Sequence, residues 1–154
     1  MPSKSSSKTR KATYADADLT LKLYDLRREN EMRKARNYMV MQFNPQSAAE
    51  AIAIVQAFGS QENAWLRQVL GYWDMAASMV NQGVLHPDMF YASTGEPYLL
   101  FAKFEPYLGE IRRAIESPGF MAQLEKTVNC SQAGRDRMAL MRKRAAQRRA
   151  AAAK

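Results

Sequence analysis

Cysteine and histidine are almost absent from this chain: Cys130 and His86 are the only ones among 154 residues. One cysteine cannot form an intrachain disulfide, which points to a reducing compartment, and we expect a cytoplasmic protein. One histidine and one cysteine cannot supply the ligand set of a zinc site, so no metal is expected. No run of eighteen or more apolar residues occurs, so no membrane span is expected, and the Lys/Ser-rich start lacks the apolar core of a secretory signal. Alternating strand patterns, hairpin dipeptides and internal repeats are missing too.

What is present is the composition of an ordinary globular domain: 47% hydrophobic and 25% charged residues. The net charge of +8 is unevenly spread. Residues 1–13 hold Lys4, Lys8, Arg10 and Lys11 with no acid. Residues 135–154 hold Arg135, Arg137, Arg142, Lys143, Arg144, Arg148, Arg149 and Lys154 against Asp136 alone. The stretch between them is therefore net acidic, and the basic character belongs to the two ends. We divide the chain into a disordered basic tail (1–13), a helical domain (14–133) and an Arg/Ala-rich basic tail, helical or disordered (134–154).

Helical periodicity dominates the middle. Asp18 is the expected cap of a long charged first helix, with Leu19, Leu23 and Leu26 at helical spacing. Glu29 with Arg33, Asp25 with Arg28 and Glu31 with Lys34 are spaced for ion pairs along it, before Asn44-Pro45 stops it. Ser47 with Glu50 has capping-box spacing, and Ser60 opens the next helix. There Leu66, Val69, Leu70, Trp73, Ala76, Ala77 and Val80 form the longest apolar stripe, expected at the centre of the core. The stripe Phe101, Phe104, Leu108, Ile111, Ile115 runs through Pro106, predicting a kinked helix or two helices in line. Ser117-Pro118 is expected to start the last core helix. The fold class that follows is all-α, a single-domain bundle of about five or six helices with flexible basic tails.

No residue pattern points to catalysis or to a cofactor. His86, before Pro87, suits a helix cap or the surface, and Cys130 suits an inert thiol far in sequence from that imidazole. Ser93-Thr94-Gly95-Glu96 is a polar loop whose amides could hold a phosphate. It lacks the glycine pattern and preceding strand of a phosphate-binding loop, so loop punctuation is the reading. The aromatics fall on core stripes with few bases between them, unlike a base-stacking platform. The abundant methionines read as core filling, with a Met-lined groove for a partner helix as the alternative.

Several short stretches carry a resemblance: Leu26-Arg27-Arg28-Glu29 leading to Arg33-Lys34-Ala35-Arg36, Gly71-Tyr72-Trp73-Asp74-Met75-Ala76, Gly83-Val84-Leu85, Phe90, Phe104-Glu105-Pro106-Tyr107 and Ile111-Arg112-Arg113. Their order resembles an uncharacterised bacterial family of short helical domains, a domain-of-unknown-function group, over about residues 20–128. The resemblance implies a helical fold with no assigned activity, in which Arg112 or Arg113 anchors a salt bridge. Many members carry a membrane helix before the first charged helix, and here the Lys/Ser-rich segment stands in that place.

The functional expectation is a non-enzymatic protein-interaction module that binds a protein partner or self-associates. The alternative is non-specific nucleic-acid association through Lys4, Lys8, Arg10, Lys11, Arg135, Arg137, Arg142, Lys143, Arg144, Arg148 and Arg149, by counterion release.

Overall fold

A computed structural model describes residues 10–154, which form helices and connecting turns with no strand. There are more helices than the five or six expected, because the long first helix and the stripe through Pro106 are each broken and the C-terminal segment is itself helical. The first break is instructive. Helix α1 (Tyr14–Leu26) starts five residues earlier than Asp18 would place it. Thr13 caps it, and Asp16 Oδ2 accepts from the Thr13 amide at 2.8 Å in a capping box. Asp18 instead pairs with Lys22 one turn later at 2.8 Å.

The long charged first helix does not continue past Leu26. Glu29 turns its carboxylate onto the following backbone and accepts from the amides of Glu31 (3.0 Å) and Met32 (2.9 Å), capping a separate helix α2 (Asn30–Asn37). A carboxylate serving two otherwise orphaned amides is better placed than one in a solvated pair with Arg33. Of the three expected ion pairs, Glu31–Lys34 forms, at 2.6 Å. Helix α2 widens into one π-helical turn (Tyr38–Gln42) that closes with Phe43 N donating to Tyr38 O.

Helices α3 (Ala48–Gln56) and α4 (Gln61–Asn81) begin at Ser47 and Ser60, as their spacing predicts. Glu50 reaches back one residue further than a capping box requires, to the Gln46 amide at 2.8 Å. Every residue of the α4 stripe from Leu66 to Val80 is buried, and α4 packs against α2, α3 and α8. Burying one such Leu or Val side chain is worth about 1.5–3 kcal/mol, so this helix organises the core. It ends at Gly83, whose φ of +75° an L side chain adopts only at a cost.

His86 caps the short α5 (Pro87–Ser93), its Nδ1 accepting from Asp88 N at 3.2 Å. The apolar stripe through Pro106 resolves into α6 (Glu96–Phe104), a 3-10 turn (Glu105–Tyr107) and α7 (Leu108–Ala114). Ser117-Pro118 does not start the next helix. Helix α8 (Ala122–Asn129) begins after Met121, in the left-handed region at φ 57°, and Asp74 of α4 caps it by accepting from Leu124 N at 2.9 Å. A side chain from the neighbouring helix replaces the local cap. Arg112 reaches Glu125 at 2.7 Å and the Phe120 carbonyl, the anchoring expected for that position.

The C-terminal segment is a structural element rather than a free tail. Helix α9 (Gln132–Ala152) packs against α6 and α8 and buries Gly134, Met138, Met141 and Ala145. Its contact strip is narrow because two of these four residues are small. A Cβ on Gly134 would lie 2.7 Å from the Val128 carbonyl oxygen, so the α8–α9 turn closes only around glycine.

Candidate functional site

The break between α1 and α2 leaves an open groove of about 680 Å³ bounded by α1, α2 and α4. Leu26, Met32 and Tyr72 supply its apolar lining, and Lys22, Asp25, Glu29 and Gln68 its polar one. The Tyr72 hydroxyl donates to the Leu23 carbonyl, which ties α4 to α1 at the groove. Burial pushes that hydroxyl up to about 12, so it stays a donor at neutral pH. Beside the groove, α1 exposes Tyr14 (96%), Leu21 (68%) and Leu26 (58%), with Tyr24 half exposed. The sequence stripe Leu19–Leu23–Leu26 concealed this, because α1 is rotated so that Leu23 alone of the three is buried. Tyr14, Leu21 and Tyr24 lie at intervals of seven and three, one exposed face that a core-seeking reading passes over. Met32 is the only methionine lining the groove, so it is not a Met-rich surface.

The two singled-out reactive residues have structural surroundings. His86 is buried, and its Nε2 lies 2.6 Å from the Arg10 carbonyl oxygen while its backbone N donates to Asp16 Oδ1 at 2.8 Å. Arg10 grips the same carboxylate through both terminal nitrogens at 2.6 Å. That guanidinium, with the Thr13 and His86 amides, holds the Asp16 carboxyl well below the usual carboxylate range. Cys130 lies 2.6 Å from the Tyr91 hydroxyl, which is pushed up to about 12 by burial and then by this contact. Among the described residues, no group of three His, Cys, Asp or Glu side chains is placed to hold a metal ion.

The most enclosed cation among the described residues is Lys103, on α6, only 3% exposed. Its Nζ donates to the carbonyls of Met39 (2.7 Å), Val40 (2.8 Å) and Phe43 (2.7 Å), the oxygens released by the π-helical turn. Burial and the nearby Arg148 draw its ammonium down to about 7. A half-buried network joins α2, α4 and α6. Arg36 meets Glu96 at 2.6 Å, and Trp73 Nε1 donates to the same carboxylate at 2.9 Å.

The basic residues named for nucleic-acid contact divide into distinct sets. Lys4 and Lys8, with the rest of residues 1–9, lie outside the described residues. Arg10, placed in a disordered tail on sequence grounds, is an internal fastener. Arg135 donates to Asn129 O and Gln132, and Arg137 to the Tyr91 and Thr94 carbonyls. Arg142 makes a two-pronged pair with Glu105 at 2.7 and 2.8 Å, and Arg148 donates to Val40 O at 2.7 Å. Lys11, Lys143 and Arg144 are exposed, Arg149 is half-buried, and none of the four has a side-chain hydrogen bond or ion pair among the described residues. No described helix is long and apolar enough to cross a membrane.

Comparison with curated proteins and with solved structures finds no match. Residues 12–131 match a family model described as a domain of unknown function (DUF4760), a span that takes in α1 through α8 and stops just before α9. The chain belongs to this domain-of-unknown-function family.

Proposed function

We propose that this chain is a non-enzymatic helical interaction module that self-associates through α1 and its groove. The observation that carries this reading is the exposure of Tyr14, Leu21, Tyr24 and Leu26 on one element beside an open groove. Single exposed apolar residues are ordinary, but three on one face of a thirteen-residue helix, with Leu26 lining the adjoining groove, mark a contact surface. The same helix carries Asp18, Lys22, Asp25 and, just past its end, Arg28. An antiparallel pairing with α1 of a second copy sets these opposite charges across from one another, which a two-fold interface requires of a self-complementary patch. Light scattering after gel filtration tests it. A dimer that Leu21→Glu with Leu26→Glu converts to monomer, with helicity retained, supports the reading. A wild-type chain that stays monomeric at high concentration defeats it.

Nucleic-acid association is the second reading, favoured by Lys143, Arg144 and Arg149 being held on an ordered helix with no hydrogen-bond or ion-pair partner among the described residues. Because α9 packs into the core, its deletion would report on folding. Lys143→Gln with Arg149→Gln is the cleaner probe, expected to lower affinity for mixed DNA and to flatten its salt dependence. Unchanged binding in that variant removes α9 from the reading.

A further inference from the structure

Arginines converge on the turn between α5 and α6, which the sequence marked only as loop punctuation. Arg27 donates to Thr94 Oγ1 at 3.1 Å, Arg137 to Thr94 O at 3.0 Å, and Arg36 pairs with Glu96. Beside this turn lies a concave cleft of about 270 Å³ between the π-helical turn, α6 and α9. Val40, Leu99 and Met141 provide its apolar lining, and Arg144 and Arg148 its cations. Glu96 is the one acid lining it, and its charge is already answered by Arg36 and Trp73 Nε1. Arg148 has one nitrogen on Val40 O, and Arg144 has no hydrogen-bond or ion-pair partner among the described residues. The cleft therefore combines a net positive field with an apolar lining, and its volume falls just below the ~300–1,000 Å³ range of drug-sized ligand sites, which suits a compact ligand.

We propose that this cleft binds a compact phosphate monoester carried on a short apolar body, the phosphate held by Arg144 and Arg148 and the body against Val40, Leu99 and Met141. Guanidinium suits this task because its planar donors match phosphate oxygens in pairs. The site differs from a nucleic-acid surface, which would be open and indifferent to an apolar tail.

The test is a nuclear magnetic resonance titration of the full-length chain with hexyl phosphate and, separately, inorganic phosphate, following the Gly95 and Leu99 amides and the Met141 methyl. Saturable shifts at these groups with hexyl phosphate, and weaker binding of inorganic phosphate, are expected. Arg144→Gln should weaken hexyl phosphate binding about tenfold or more, from loss of one charge-assisted contact. Lys143→Gln removes the same charge one residue away, at a position that does not line the cleft, and should leave the affinity unchanged. Both substituted side chains are exposed, so folding is not at stake. Equal weakening by the two variants would show diffuse charge attraction and overturn the proposal. So would equal affinity for the two phosphates, or the absence of any saturable shift.

Discussion

Replacing Lys103 with Met should change how stability responds to pH. In the folded chain the ammonium loses its proton near pH 7, against 10.5 for the side chain in water. Between those values the unfolded chain holds a proton that the folded chain has released. Stability must then rise with pH through this window, because folding no longer requires a buried charge. The three carbonyl acceptors oppose the shift by favouring the ammonium, so the full displacement is an upper bound. From pH 7 to 9.5 the gain is at most about 3 kcal/mol, at about 1.36 kcal/mol per pH unit. Above that range Tyr72 and Tyr91, both pushed up to about 12, reverse the trend, since the unfolded chain then loses protons that the folded chain keeps. The assay is urea unfolding of wild type and Lys103→Met at half-unit intervals from pH 6.5 to 9.5. Subtracting the two curves cancels every other titrating group. The wild type should gain on the variant steadily as pH rises. A flat difference would refute the reasoning, and would mean that the carbonyl cage keeps Lys103 fully charged.

Other outcomes follow from the same packing. Asp16→Asn should destabilise the chain at neutral pH and flatten its loss of stability in acid, because a depressed carboxylate contributes above pH 4 and is lost as pH falls; acid titration by circular dichroism checks this. Tyr98→Phe should be neutral or stabilise by about 1 kcal/mol, since the buried Tyr98 hydroxyl has no partner among the described residues; thermal melts decide it. Gly134→Ala should cost about 1–3 kcal/mol, through the clash with the Val128 carbonyl, and an unchanged urea midpoint would contradict the close approach. Met138→Ala should cost about 2–5 kcal/mol, as for other fully buried methionines, whereas a value near zero would mean that α9 is not part of the core.

The helices that announce themselves in the sequence are those whose caps are local. Ser47 and Ser60 sit three residues before the amides they serve, and α3 and α4 begin where their spacing places them. The failures have several causes. Helix α8 takes its cap from Asp74, fifty residues away, so Ser117-Pro118 was a better-looking start than the real one. The α1–α2 break has neither Gly nor Pro, and depends on Glu29 choosing two backbone amides over a surface cation. Helix α9 read as a tail because a count of large apolar residues cannot register Gly134 and Ala145, whose smallness is what lets it approach. The arginine cleft was illegible for a related reason. Its walls come from residues 40, 95–99 and 141–148, which only the folded chain brings together.

The family match ends at residue 131, and its other limit, residue 12, falls just past Arg10. Both limits cut through packed structure. Expressing the matched span alone would strip the salt bridge from Asp16, leave the buried His86 ring without its Arg10 carbonyl, and bare the face of α6 that Met138 and Met141 cover. The span that recurs in the family and the span joined by packing are thus different in this chain. Any fragment meant to represent the domain should run from before Arg10 through α9.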